Sequence, residues 1–227
     1  MVFTLTFNVT IIVMKIKKSE VTMFLIVLLS FLVGAYFYPQ MPERIASHWD
    51  YRGEVNGEMN RFWGTFLMPM ISLLMLALFM IIPRIDPLKE NIAQFRKYFD
   101  NFIVLIASFL FYIYILTIMW NLGIKINIIE FMSPALGILF YYCGILIENS
   151  KMNWSIGIRT PWTLSSEKVW DKTHALGGKL FKIVGIISLF GTFFPDFAIA
   201  LILIPIILVT VYIFLYSYLE YRKEIVR

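Results

Sequence analysis

The sequence predicts an all-α, polytopic integral membrane protein with six transmembrane helices and both termini cytoplasmic. Three observations lead there: a composition that is 59% hydrophobic and only 15% charged, six long apolar runs, and an uneven distribution of lysine and arginine between those runs. Soluble domains carry about 25% charged residues, so this chain lies outside that class. Its net charge of +5 raises the question of nucleic acid, but the basic residues flank apolar segments and form no stripe, so no direct nucleic-acid contact is expected. The single Cys143 sits in an apolar run, where a buried structural thiol is the ordinary reading.

Crossing about 30 Å of hydrocarbon at 1.5 Å per residue takes about 20 residues. The runs fall at Val21–Tyr38, Phe62–Pro83, Phe102–Leu122, Phe131–Ile147, Leu176–Phe194 and Phe197–Leu219. They are continuous, without the period-2 alternation of a barrel strand, so helices are expected. The fourth is short and calls for a thinned bilayer or snorkelling ends. The fifth carries Lys179 and Lys182 near its start, where long stems can return the ammonium groups to the headgroups. Pro69 and Pro205 predict kinks in the second and sixth. The opening "MVFTLTFNVTIIV" is apolar but too short to span, whereas "MKIKKSEVTMFLIVLL" from Met14 has a basic flank before an apolar run, so Met14 reads as a candidate start and the first helix as retained.

Sixteen of the twenty lysines and arginines fall on one side of these runs; Arg44, Arg52, Arg61 and Lys125 fall on the other. The side rich in basic residues is expected to be cytoplasmic. The chain then divides into a cytoplasmic segment 1–20, three helices over 21–122 around an extracellular loop 39–61, and three helices over 123–227 around a cytoplasmic loop 148–178. Trp49, Trp63 and Trp120 fit as anchors at the outer interface, Trp154, Trp162 and Trp170 at the inner.

Nothing in the sequence commits to catalysis. His48 and His174 fall on opposite sides, so they cannot share a metal ion, and Asp171 with His174 is two ligands without a third. No nucleophile elbow, triad order or glycine-rich phosphate cradle occurs. No metal, cofactor or catalytic residue is expected. Apart from Lys179 and Lys182 the runs contain no Asp, Glu, Lys, Arg or His, which weakens a transporter reading, since coupled transport places such groups near the midplane. A permease for a neutral solute, or a structural membrane protein, remains the alternative.

The information lies in two polar loops. In "MNWSIGIRTPWTLSSEKVWDKTHALGGK", residues 152–179, Gly157 permits an unusual backbone angle and Pro161 holds Thr160 extended. Thr163 or Ser165 is a candidate N-cap for a short helix through about Ala175, with Glu167 in its first turn and Trp170 and His174 on one face, broken by Gly177-Gly178 before the fifth crossing. An amphipathic connector on the inner leaflet and a recognition surface both fit this composition. The outer "MPERIASHWDYRGEVNGEMNRFWG" contains turn formers in "RG" and "NG", so a small hairpin is expected, either as a solvated connector or as a contact surface.

These two stretches resemble the SdpI immunity proteins. The inner loop is similar to that family's signature, a G-[IV]-R-T-P-W-[TA]-L-x-[SN]-[ED]-x-[VA]-W-x-x-[TA]-[HN] run before a membrane helix. Gly157, Arg159, Thr160, Trp162, Leu164, Glu167, Trp170, Thr173, His174 and Gly178 carry the match. The outer stretch resembles the small membrane domain of unknown function that accompanies the signature, through Pro42, His48, Gly53, Gly57, Phe66 and Pro69; Arg61 stands in for a basic residue usual after the second glycine. The resemblance implies protection of a cell from a secreted antimicrobial peptide toxin. It also implies a receptor role in which a cytoplasmic transcriptional repressor is held at the membrane. The binding candidates are then Arg159, Thr160, Trp162, Glu167, Trp170 and His174 inside, and His48 and Trp49 outside.

The charge distribution makes a direct prediction. In a background lacking Cys143, Ser47→Cys reacts with an impermeant thiol reagent on intact cells and Ser166→Cys only after the membrane is opened. Labelling of Ser166→Cys on intact cells reverses the orientation.

Overall fold

The computed structural model describes residues 17–226. The expectation of a start at Met14 lies outside the described residues. Among the described residues, six helices are long and apolar enough to cross a membrane. In chain order the elements are α1 (Lys18–Phe37), a hairpin of β1 (Arg44–Trp49) and β2 (Val55–Asn60), α2 (Arg61–Ile85), α3 (Lys89–Gln94), α4 (Arg96–Asn121), α5 (Ile128–Asn149), α6 (Glu167–Leu189) and α7 (Ala198–Ile225). The short α3 is amphipathic and caps the turn between α2 and α4, with Ile92 buried beneath it. It has no counterpart among the six expected runs because it is too short and too polar to read as one.

Three of the long helices, α2, α5 and α6, begin before their apolar segments at a polar residue whose side chain caps the first turn: Asn60, Asn127 and Ser166. The fourth crossing is 22 residues, not short: Asn127 Oδ1 accepts the amides of Ile129 at 3.1 Å and Glu130 at 3.4 Å, which starts the helix three residues before the apolar run. Pro69, Pro83, Pro134 and Pro205 all lie inside continuous helices. In α1 a narrow stripe of Met23, Val27, Ser30 and Gly34 is buried while Phe24, Leu25, Leu28, Leu29 and Leu32 are exposed. That is the pattern of a helix that turns small or slim residues to its neighbours and large apolar ones to lipid.

The tightest packing is between α5 and α6. A Cβ on Gly144 would lie 2.5 Å from the Gly178 carbonyl oxygen, and one on Gly178 would lie 2.8 Å from that of Gly144. Two turns along, Gly137 and Gly185 repeat the arrangement at 2.9 and 2.6 Å. The backbones therefore touch at two points spaced seven residues apart, close enough for Cα–H to carbonyl contacts. Ser133 Oγ then donates to the Ser188 carbonyl at 2.7 Å, continuing the seam toward the far end. Gly177-Gly178 thus does not break a helix: α6 is continuous, and these glycines exist for contact.

One end of the bundle gathers the charges. Glu20, 2% exposed, accepts from the Lys17 amide at 3.0 Å and pairs with Arg84 at 2.9 Å and Arg96 at 3.1 Å. The single carboxylate thus ties α1, α2 and α4. Lys182 pairs with Glu148, and Lys172 with Glu220. At the opposite end the hairpin lies against α4 and α2. Asn121 Oδ1 accepts the Ala46 amide at 2.8 Å and its Nδ2 donates to the Ala46 carbonyl at 3.0 Å. Ile45 is fully buried over Gly64.

Gly144→Ala and Gly185→Ala should each lower the thermal midpoint in detergent by several degrees, since overpacking a closed contact costs about 1–3 kcal/mol. Ala175→Leu, at an exposed position of α6, is the control and should leave it unchanged.

Candidate functional site

Because Gly178 faces Gly144 and Glu148, the part of α6 from Glu167 to Leu176 extends past the last turn of α5. At 1.5 Å per residue this projection is about 15 Å long. The loop 150–166 folds back over it, and its first job is to satisfy its own backbone. Asn153, fully buried, accepts the amides of Ser155 at 2.8 Å and Ile156 at 2.6 Å and donates to the carbonyls of Lys151 at 2.7 Å and Ile156 at 2.8 Å. Thr163 Oγ1 accepts the Thr160 amide at 2.9 Å and donates to the Ile158 carbonyl at 2.8 Å.

The loop is then fixed to α6 through Gly157 and His174. Gly157 has φ +121°, and a Cβ there would fall 2.5 Å from His174 Nε2 and 3.1 Å from the Trp170 ring. That approach lets the Ile158 amide donate to His174 Nε2 at 2.9 Å, while Nδ1 lies 2.8 Å from the Trp170 carbonyl. Nε2 therefore carries no proton and Nδ1 is the donor, so the imidazole is neutral. Trp170 stacks on His174 with ring centres 3.9 Å apart, and its Nε1 donates to the Ser150 carbonyl at 3.1 Å. The expected shared face of Trp170 and His174 is present, but it is turned inward: they are 0% and 1% exposed. The expected helix start is also corrected. The N-cap is Ser166, whose Oγ accepts the Val169 amide at 3.2 Å, because Thr163 and Ser165 are committed to the preceding turn.

Two other contacts hold the loop from outside α6. Thr160 Oγ1 donates to Ser217 Oγ of α7 at 3.1 Å, and Trp162 packs edge-on against Phe214 and close to Tyr218, each with ring centres 5.0 Å apart. On the other flank, Asp86 at the end of α2 is 3% exposed; it accepts the Leu88 amide at 2.8 Å, the Trp154 amide at 3.1 Å and the Ser155 hydroxyl. Asn91 of α3 donates to the Met152 carbonyl at 2.7 Å. Neither Asp86 nor Asn91 was among the sequence candidates. The signal available was the Asp86-Pro87 pair, which favours a side-chain-capped turn. What remains outward includes Arg159, whose guanidinium donates to the Trp154 carbonyl at 2.8 Å, together with Trp154, Glu167, Lys168 and Asp171.

The hairpin turns at Asp50–Glu54. Asp50 Oδ1 accepts the Arg52 and Glu54 amides at 2.8 and 3.0 Å, and Gly53 has φ +79°. The "RG" turn is thus present, whereas Asn56-Gly57 lies within β2, opposite a bulge at His48. Gly57 makes room there, since a Cβ would fall 2.9 Å from that of His48. His48 Nδ1 lies 2.5 Å from Asn56 Oδ1. Trp49 packs edge-on to Trp120 at 5.7 Å, and its buried Nε1 has no partner among the described residues. His48 and Trp49 rim a groove of about 400 Å³ that also takes in Trp63, Met59, Met68 and Met132.

Residues 149–217 match the SdpI/YfhL protein family, and residues 25–73 match Domain of unknown function (DUF1648). The first segment runs from the loop through α6 into α7, the second from α1 through the hairpin into α2. The chain is 28% identical over 207 residues to "Immunity protein SdpI" of Bacillus subtilis (strain 168), covering 91% of this chain and 97% of that protein. No solved structure matches the chain.

The loop geometry separates holding residues from outward ones. Gly157→Ala should cost about 1–3 kcal/mol through its backbone angle and should accelerate proteolysis within residues 151–160. Arg159→Ala should change neither the thermal midpoint nor the cleavage rate.

Proposed function

We propose that this chain is an immunity protein of the cell membrane, protecting its cell from a secreted antimicrobial peptide, with both termini and the 150–166 loop cytoplasmic and the hairpin outside. The similarity to Immunity protein SdpI over 91% of this chain is the observation that carries the reading. The placement of basic residues supports the orientation. The receptor reading belongs with it: a cytoplasmic repressor is recruited to the inner face when the toxin is present.

The geometry supports a division of labour. A toxin arriving from outside meets the hairpin first, where His48 and Trp49 border the outer groove. Two tryptophans and three methionines around this groove suit an apolar peptide, since methionine-lined surfaces adapt to irregular partners. A cytoplasmic partner meets Arg159, Glu167 and Trp154, a cation, an anion and an aromatic ring on a loop whose backbone is already fixed. Thr160, Trp162, Trp170 and His174 contribute by holding that loop rather than by touching the partner. A permease reading gains no specific observation.

Survival under toxin, membrane abundance and partner localisation should be measured together. His48→Ala and Trp49→Ala should reduce survival with abundance unchanged. Arg159→Ala and Glu167→Lys should spare survival and abolish recruitment. His174→Ala should reduce both along with abundance. Full survival and recruitment in all four outward variants at normal abundance would remove the site assignment.

A further inference from the structure

At the charged end of the bundle, Lys17, Lys18 and Ser19 of the α1 start, with Thr22, Arg96, Lys97 and Asp100, line a polar groove of about 940 Å³. A second groove of about 660 Å³, nearly all apolar, runs between α4, α5 and α6. The two share Asn101 and Val104 as walls. On α4 the residues Lys97, Asn101, Val104 and Ser108 follow each other at spacings of four, three and four, so they form one helical face. From Lys97 to Ser108 is about 16 Å along the axis. One continuous channel therefore starts among ammonium groups and descends into apolar wall on the membrane-facing surface.

The charges at its mouth are not all neutralised internally. Arg96 is engaged by Glu20 at 3.1 Å and by Asp100 at 2.6 Å, and Lys17 lies 3.8 Å from the same Asp100. Among the described residues Lys18 and Lys97 have no acidic partner, and both are exposed. Ser19 Oγ is buried there without a hydrogen-bond partner among the described residues. The mouth thus offers two spare cations and a hydroxyl at headgroup depth, and the channel below offers Leu105, Ile138 and Leu189 to a hydrocarbon chain.

We propose that this channel is a binding site for an anionic phospholipid, with its phosphate between Lys18 and Lys97 and one acyl chain along Val104 and Leu105. Basic pockets between membrane helices select such headgroups by charge, and the adjoining apolar groove distinguishes a lipid from a free anion. The proposal does not depend on the immunity reading.

The test uses the full chain in mixed micelles with equal phosphatidylglycerol and phosphatidylcholine, read by native mass spectrometry for retained lipid. Phosphatidylglycerol should be retained about thirty-fold over phosphatidylcholine, the size expected of two surface lysines. Lys18→Gln with Lys97→Gln should erase the preference. Ser108→Trp, which obstructs the apolar part and leaves the cations, should reduce retention of both lipids. Inorganic phosphate at equal concentration should not compete. Equal retention of the two lipids, a preference that survives the double lysine change, or displacement by inorganic phosphate would overturn the proposal.

Discussion

The approach of α5 to α6 is the constraint on which the rest of the structure depends. Helices in lipid gain little from burying apolar side chains against each other, so close backbone contact must supply the association. Gly144 with Gly178, and Gly137 with Gly185, give that contact at two points, which fixes both the distance and the register of the pair. Register is the important quantity. It sets how far α6 projects beyond α5, and the projection creates the surface over which loop 150–166 can fold. A slip of one turn would carry Gly157 away from His174 and leave the Ile158 amide without its acceptor.

Once the projection exists, the loop joins the two halves of the molecule. Asp86 and Asn91 belong to the half built from α1, α2, α3 and α4, whereas Thr160 and Trp162 reach α7 on the other side. Ile156 adds an apolar tie, packing against the cluster of Met23, Val27, Phe95 and Phe99. The loop is polar in composition but spends most of its polar groups on internal acceptors and donors, as buried backbone requires. Its few outward groups are thereby presented with little freedom to lose.

The helices were legible because a membrane span needs a continuous apolar stretch, and charge placement was legible as flanks. Their ends were less so. Asn127, Ser166 and Lys17 start helices before the apolar residues begin, and a cap is a local hydrogen bond that hydropathy does not register. The Gly177-Gly178 pair was read as a breaker because glycine is poor in an isolated helix; in a lipid-embedded pair the missing side chain is worth more as a contact than it costs in propensity. In the loop, the residue types marked the segment correctly, but which of Trp162, Trp170 and His174 faced inward could not be read from spacing. That depended on α5, α7 and the bend at Gly157, none of which is local to the motif. The partners Asp86 and Asn121 lay 68 and 75 residues from the segments they hold, beyond any pattern that a single sequence displays.

Asn121 gives the hairpin a property beyond attachment. Its amide bonds both the N–H and the C=O of Ala46, as a neighbouring strand would, on the side of β1 that faces away from β2. An unpaired strand edge is a template for another extended chain. Here one helix residue imitates a strand and closes β1 at its centre, so an extended peptide joining the two-stranded sheet by backbone pairing can do so only along the free edge of β2, which carries Glu58 and the register shift at Asn56.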